Sequence, residues 1–395
     1  MNIPLSRPDI TPTEKERVLE VLNTPQLSLG PKLAEFEGKF AHYIGSRYAV
    51  AVNSGTSGLH LCVRALGIKD ADEVLTTPFS FVASANCLLF ERAKPIFVDI
   101  DERTWNMDVD KLGKALKKRK ASSNALKGIL AVHVFGRPCA IYGMKKLASE
   151  YGLRLIEDAC EAVGAETRGK QNQPWRKVGT FGDCGVFGFY PNKQMTTGEG
   201  GMIVTDNANI SKLCRSLRNQ GRSENGGWLQ HERLGYNYRI SDINCALGIV
   251  QLERIGEILA QREKVARFYD ERLKEIDGLL AAPLEVNKRI SWFVYVVRLE
   301  DKYSRSQRDE VLARLKEKGI GCSNYFSPIH LQPFYKKTFG YKKGDFPVTE
   351  KVSERTLALP FYNRLEEGQV DYVCEQLKRI IQSLPKNHKR RRAQV

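Results

Sequence analysis

Phe187-Gly188-Phe189-Tyr190-Pro191-Asn192-Lys193-Gln194-Met195-Thr196-Thr197-Gly198-Glu199-Gly200-Gly201 sets one lysine between two short apolar runs. The run Val186–Tyr190 reads as a strand, the glycines as a tight turn, and Met202–Thr205 as the return strand. A lysine at the end of a buried strand is partly desolvated, which favours the free amine as nucleophile or base. A solvent-facing lysine in a hairpin has the same local pattern, so its neighbours elsewhere in the chain must decide.

Upstream, short apolar runs alternate with helical patterns. Strands are expected at 48–52, 73–76, 95–99, 128–134 and 154–157, with helices at 58–66, 81–90 and 142–150. This alternation predicts an α/β fold with a mainly parallel sheet covered by helices, whose ligands bind at the carboxyl ends of the strands. Beyond about residue 240 the pattern changes. A long helical stretch, 242–273, is followed by a strand at 291–298 and amphipathic helices at 307–318 and 370–383. A smaller α+β second domain is expected there, packed tightly on the first.

Three further positions fall at expected strand ends. Asn53-Ser54-Gly55-Thr56-Ser57-Gly58 closes one strand and opens a helix, whose free N–H groups and added hydroxyls suit a phosphate. It fits neither a P-loop nor a dinucleotide fingerprint, and a plain helix cap reads the same way. Asp158 follows Leu155-Ile156-Glu157, and a carboxylate there needs a partner such as a protonated ring nitrogen, or else caps a helix. Glu161 can reach the same region. Phe81 begins a helix just beyond a strand, where an aromatic covers a flat ligand or fills the core. A lysine, a strand-end aspartate, a phosphate cradle and an aromatic at one sheet edge are what pyridoxal 5′-phosphate (PLP) requires.

Composition narrows the class. The 395 residues are 42% hydrophobic and 27% charged, a soluble globular balance. No apolar run approaches membrane-helix length, and the N-terminus lacks a signal-peptide layout. Nine dispersed cysteines without Cys-x-x-Cys argue for reduced thiols in a cytoplasm, against disulfides or a metal site. Part of the net charge of +16 lies in Lys111–Lys120 and in the tail 386–392. Neither cluster carries interleaved aromatics or a nucleic-acid motif, so a solvated helix face and a disordered basic tail are expected.

On these motifs the chain resembles the DegT/DnrJ/EryC1/StrS family of PLP-dependent sugar aminotransferases. The likeness runs from Ile3-Pro4-Leu5-Ser6 to about Ile381 and rests on the Lys193 stretch, Glu157-Asp158-Ala159-Cys160-Glu161-Ala162, Asn53-Ser54-Gly55-Thr56 and Phe79-Ser80-Phe81-Val82-Ala83-Ser84-Ala85-Asn86. The resemblance implies fold type I. Residues 1–250 would form a large cofactor domain with a seven-stranded sheet and an N-terminal arm, 251–385 a small domain, and 386–395 a tail. It implies Lys193 as the Schiff-base lysine, Asp158 as partner of the ring nitrogen, Phe81 stacked on the ring, and Gly55, Thr56 and Ser57 on the phosphate. Asn237, in Gly235-Tyr236-Asn237-Tyr238-Arg239, matches an asparagine reaching the neighbouring subunit's phosphate, hence a homodimer. Tyr325 and His330 match a segment lining the sugar site.

Two positions depart from the family pattern. Gly188 stands where many relatives carry a phosphate-binding serine, and Glu161 where glutamine or histidine is common. The family's sugar dehydratases replace the lysine by histidine, so Lys193 favours transamination. The implied reaction moves an amino group from glutamate or glutamine to a nucleotide-linked 3-keto or 4-keto sugar through the pyridoxamine form of the cofactor. The rival expectations are a PLP-dependent dehydratase and a regulatory protein that binds nucleic acid through its tail.

Overall fold

The computed structural model describes residues 1–120, 124–223 and 229–385. Seven strands form the main sheet: β1 Tyr48–Val52, β2 Glu73–Thr76, β3 Lys94–Phe97, β4 Leu126–Val132, β5 Arg154–Asp158, β6 Cys184–Gly188 and β7 Gly201–Thr205. Their order is β1-β7-β6-β5-β4-β2-β3. The pairs β2/β3, β2/β4, β4/β5 and β5/β6 are parallel, while β7 runs antiparallel to both β6 and β1. The expected mainly parallel sheet is therefore present, with β7 as its one reversed strand.

Alternation along the strands buries both faces. Val50, Val52, Val186 and Ile203 pack with Leu59, Cys62 and Val63 of helix α2 (Gly55–Ala65). On the opposite face, Ala49, Ala51, Phe187, Met202 and Val204 pack with Phe36 and Phe40 of helix α1 (Pro31–Ile44). A strand that is apolar on both faces belongs between helix layers. Helices α3 (Ala83–Leu89), α4 (Val109–Lys120) and α5 (Ile141–Glu150) complete the crossovers. The basic helix α4 is a solvated face on an apolar stripe. Leu112 and Leu116 are buried, Lys111 pairs with Asp99 and Asp108, and Arg119 pairs with Glu73. The basic tail lies outside the described residues.

Two sequence expectations need correction. The stretch 242–273 is not one helix. It divides into α6 (Asp242–Glu253) and α7 (Ile255–Leu273) at Arg254, whose ψ of 3° leaves helical geometry. Arg254 is held there by Asp9, Glu14 and Glu257. Nor is the segment between β6 and β7 a tight turn. Gly188 pairs directly with Gly201, and residues 189–200 form a loop between them. Lys193 thus sits on a loop beyond the strand end, not on the strand.

A second sheet of β8 (Leu279–Ala281), β9 (Tyr295–Leu299) and β10 (Thr356–Leu359) is antiparallel. Val265 and Tyr269 of α7, Val311 and Leu315 of α8 (Arg305–Glu317), and Val370, Val373 and Leu377 of α9 (Glu367–Ser383) pack against it. The strand expected from residue 291 begins only at Tyr295. Carbonyls of 291–293 instead accept hydrogen bonds from Gln194 and Arg262.

Candidate active site

The carboxyl ends of β1, β2, β5 and β6 lie along one edge of the sheet, and most of the predicted site residues follow them directly. Ser54 caps α2 by accepting from the Ser57 N–H at 3.1 Å. The N–H groups of Gly55 and Thr56 open that helix and give the anion-attracting terminus. Gly55 is required here, because a Cβ would lie 2.7 Å from the Cys160 Sγ. Gly201 is required opposite, where a Cβ would lie 2.6 Å from the Ser54 carbonyl. Strand β7 therefore closes against the cradle at backbone distance.

Asp158, the last residue of β5, is 6% exposed. Its Oδ2 accepts from the Ser84 hydroxyl at 2.7 Å and its Oδ1 from the Cys160 N–H at 3.1 Å. Both oxygens are thus oriented by α3 and by the turn after β5. The neighbouring Glu157 points to the other face and is fully buried. It accepts from the amides of Gly179, Phe181 and Gly182, at 2.9, 2.6 and 2.8 Å. The Cys139 N–H donates to Nδ1 of His133, so Nε2 of that ring carries the proton and donates to Glu157 at 3.0 Å. Burial works to raise the Glu157 carboxyl, but His133 and the amides outweigh it and hold it below the usual range. This pair fixes the strand from behind and leaves Asp158 facing forward.

Lys193 enters from the loop. Its side chain is 14% exposed, with Nζ 3.5 Å from Glu161 Oε1 and 3.9 Å from the centre of the Phe293 ring. The other Glu161 oxygen accepts from the Phe135 N–H at 2.8 Å. Burial raises the Glu161 carboxyl against the pull of Lys193. The loop root is held by an aromatic cluster. Phe40 packs on Phe187 and Phe189, with centroids 5.2 and 5.6 Å apart, and Phe36 packs on Phe189 at 5.6 Å. Such pairs add about 0.5–1.5 kcal/mol each beyond buried area.

Phe81 precedes α3 and is 61% exposed. It is not a core aromatic, and its open ring is free to cover a flat ligand. Asn237 is exposed on its segment. Its neighbours are drawn inward, Tyr236 donating to Glu91 at 3.0 Å and the Tyr238 hydroxyl lying 3.1 Å from His60. Tyr325 stacks beside Phe293 and Phe326, so it borders the lysine.

His330 is the exception. It is fully buried, its Nε2 lies 3.0 Å from Glu350, and burial lowers its pKa. In this arrangement it presents no surface to a substrate. The apolar environment of Tyr341 and Phe346 encloses it.

Sequence reading missed Ser84, Gln194, Phe293 and Arg262. Ser84 lies in a quoted motif, three residues beyond Phe81, and that offset was its available signal. Among the described residues no group of three or more His, Cys, Asp or Glu could hold a metal ion.

Known proteins match this chain along nearly its whole length. The model of the DegT/DnrJ/EryC1/StrS aminotransferase family matches residues 8–378. GDP-perosamine synthase of Caulobacter vibrioides is 36% identical over 381 residues, covering 96% of this chain and 98% of that protein. Helicobacter pylori PseC, an aminotransferase involved in the biosynthesis of pseudoaminic acid, superposes with a TM-score of 0.89 at 27% identity, over 97% of this chain and all of that one. The PLP form of Spr1654 from Streptococcus pneumoniae gives 0.87 at 26% identity, over 97% and 99% of the two chains.

Proposed function

The chain belongs to the DegT/DnrJ/EryC1/StrS aminotransferase family, and from that premise we propose that it is a PLP-dependent sugar aminotransferase acting on a nucleotide-linked 3-keto or 4-keto sugar, with glutamate or glutamine as donor. One observation carries the reading. A sheltered lysine amine and a hydrogen-bonded aspartate share one sheet edge with a helix N-terminus and an open aromatic ring. The residues fit the cofactor. Glycine at 55 and 201 lets the Cys160 turn and β7 close against the first turn of α2, where a Cβ would lie 2.7 Å from Cys160 Sγ or 2.6 Å from the Ser54 carbonyl, and the N–H groups of that turn suit a phosphate.

PLP, when bound, supplies an electron sink and carries the amino group between two half-reactions. Lys193 would hold it, and Asp158 would keep a proton on its ring nitrogen. The α2 terminus with Thr56 and Ser57 would take the phosphate, and Phe81 would cover the ring. The freed Lys193 amine removes a proton from the α-carbon of the donor and returns one to the sugar carbon that receives nitrogen. Phe293 and Glu161 bound the space in which that amine moves. Retention of the lysine favours transfer over dehydration. The name of the Caulobacter relative supports a nucleotide-linked sugar.

Asn237, exposed between two inward tyrosines, would reach the partner subunit's phosphate in a homodimer. We place the reaction in a reducing cytoplasm, consistent with nine free cysteines, eight of them buried. We also assign the lysine loop and its sheet to a unit ending near residue 250, and the second sheet to another. The test is a panel of 3-keto and 4-keto nucleotide sugars incubated with glutamate or glutamine. A product in which the carbonyl oxygen is replaced by an amino group is expected. Water loss without nitrogen gain contradicts the reading.

A further inference from the structure

Arg262 interrupts the apolar stripe of α7. Its neighbours on that face are Ile258, Val265, Ala266 and Tyr269, and it is 2% exposed among them. Its partners are backbone carbonyls. Nη2 donates to Lys193 at 2.9 Å, and Nη1 donates to Phe293 at 3.2 Å and Trp292 at 3.3 Å. Its Nε has no hydrogen-bond partner, its guanidinium lies 5.6 Å from the centre of the Phe361 ring, and Asp9 acts on it from beyond ion-pair distance. Burial pulls its pKa down to about 10, which leaves it charged at neutral pH.

Such an arginine is a poor stabiliser. A buried charge without a direct ion pair costs several kcal/mol that a distant carboxylate and a ring face offset only in part, and an apolar residue in the stripe would avoid that. The compensation lies in what the fork joins. It ties the carbonyl of the reactive lysine to the segment whose Phe293 ring lies under that lysine's amine. At the next residue, Gln194 Nε2 donates to the Glu161 carbonyl at 2.6 Å and the Ser291 carbonyl at 2.9 Å. The lysine loop is thus pinned to residues 291–293 at two successive residues, Lys193 and Gln194.

We propose that Arg262 is a positioning residue that fixes the backbone of Lys193 over Phe293, so that its amine is held within reach of both the donor α-carbon and the sugar carbon in successive proton transfers. Its chemical consequence rests on the proposed function, whereas the clamp itself does not. The planar fork matters as well as the charge, because a lysine cannot span the three carbonyls in one plane.

The experiment compares Arg262→Met and Arg262→Lys with the unaltered protein. In cofactor-free protein, amide hydrogen exchange over residues 189–200 should be on the order of tenfold faster in Arg262→Met, with β4 and β5 unchanged. In the loaded enzyme kcat should fall by about 10- to 100-fold, with the donor KM within about threefold, because misplacement by an ångström costs that much. Arg262→Lys should recover part of both effects. Wild-type exchange in Arg262→Met would overturn the proposal, as would an Arg262→Lys protein no better than Arg262→Met. If the methionine variant is insoluble, Arg262→Gln replaces it under the same criteria. A Lys193→Ala protein with full turnover would instead overturn the proposed function and leave the exchange result standing.

Discussion

Replacing Gly188 by serine should tighten cofactor binding. Gly188 ends β6 beside the first turn of α2, its Cα 3.4 Å from where a Cβ on Gly55 would lie. A Cβ on Gly188 itself would meet Cys160 Cβ at 3.3 Å and Sγ at 3.5 Å, so Cys160 must yield by a few tenths of an ångström. That crowding costs about 1 kcal/mol. A serine hydroxyl there stands next to the cradle, and a hydrogen bond to a charged group contributes about 1.5–3 kcal/mol. The net gain is about 0.5–2 kcal/mol, or a Kd lowered about 2- to 30-fold. The assay is absorbance titration of cofactor-free protein with PLP. Gly188→Ala is the control, bringing the crowding without the hydroxyl, and should bind about fivefold more weakly. If serine and alanine weaken binding equally, the phosphate is not held at the α2 terminus and the assignment of Gly55 to Ser57 fails.

Other consequences follow from the same geometry. Ser84→Ala removes the donor to Asp158 Oδ2, so kcat should fall by about tenfold with little change in donor KM, for a lost charge-assisted bond of about 1.5 kcal/mol; steady-state kinetics checks this. Glu161 has a folded pKa above its unfolded value because of burial. Its protonated form therefore favours folding below the unfolded pKa, and that contribution is lost as pH rises through the folded pKa. Glu161→Gln in cofactor-free protein should accordingly raise the melting temperature at pH 7–8, with the advantage vanishing toward the acid end of the carboxylate range. A constant difference across pH would refute this. Mixing Lys193→Ala with Asn237→Ala subunits should restore about a quarter of wild-type activity, since half the dimers then hold one intact shared site. No restoration means that Asn237 does not act across subunits.

Much of the sheet was legible because each strand is apolar on both faces and bounded by turn residues, as in Tyr48–Val52 and Glu73–Thr76. The site's outline was legible for a related reason. Ligand-facing groups must follow strand ends, and Asn53 to Ser57, Phe81 and Asp158 do so. The loop around Lys193 misread as a tight turn because its glycines look like turn glycines, whereas Gly201 serves the close approach to Ser54. The division at Arg254 was hidden because no proline marks it and Gly256, two residues on, lies inside the following helix. Only the distant Asp9 and Glu14 reveal why the helix bends there. Arg262 was invisible for the same reason, since its carbonyl partners carry no side-chain signature. His330 looked polar and available, but its pairing with Glu350 depends on how residues 344–350 fold back.

Everything proposed for the active site depends on which lysine holds the cofactor. Borohydride reduction of the protein with PLP bound, followed by peptide mapping, reads this directly. The cofactor's mass is predicted on the peptide containing Lys193, and a Lys193→Ala protein should retain no label and show no turnover. Label fixed on another lysine, or normal turnover in Lys193→Ala, would contradict it.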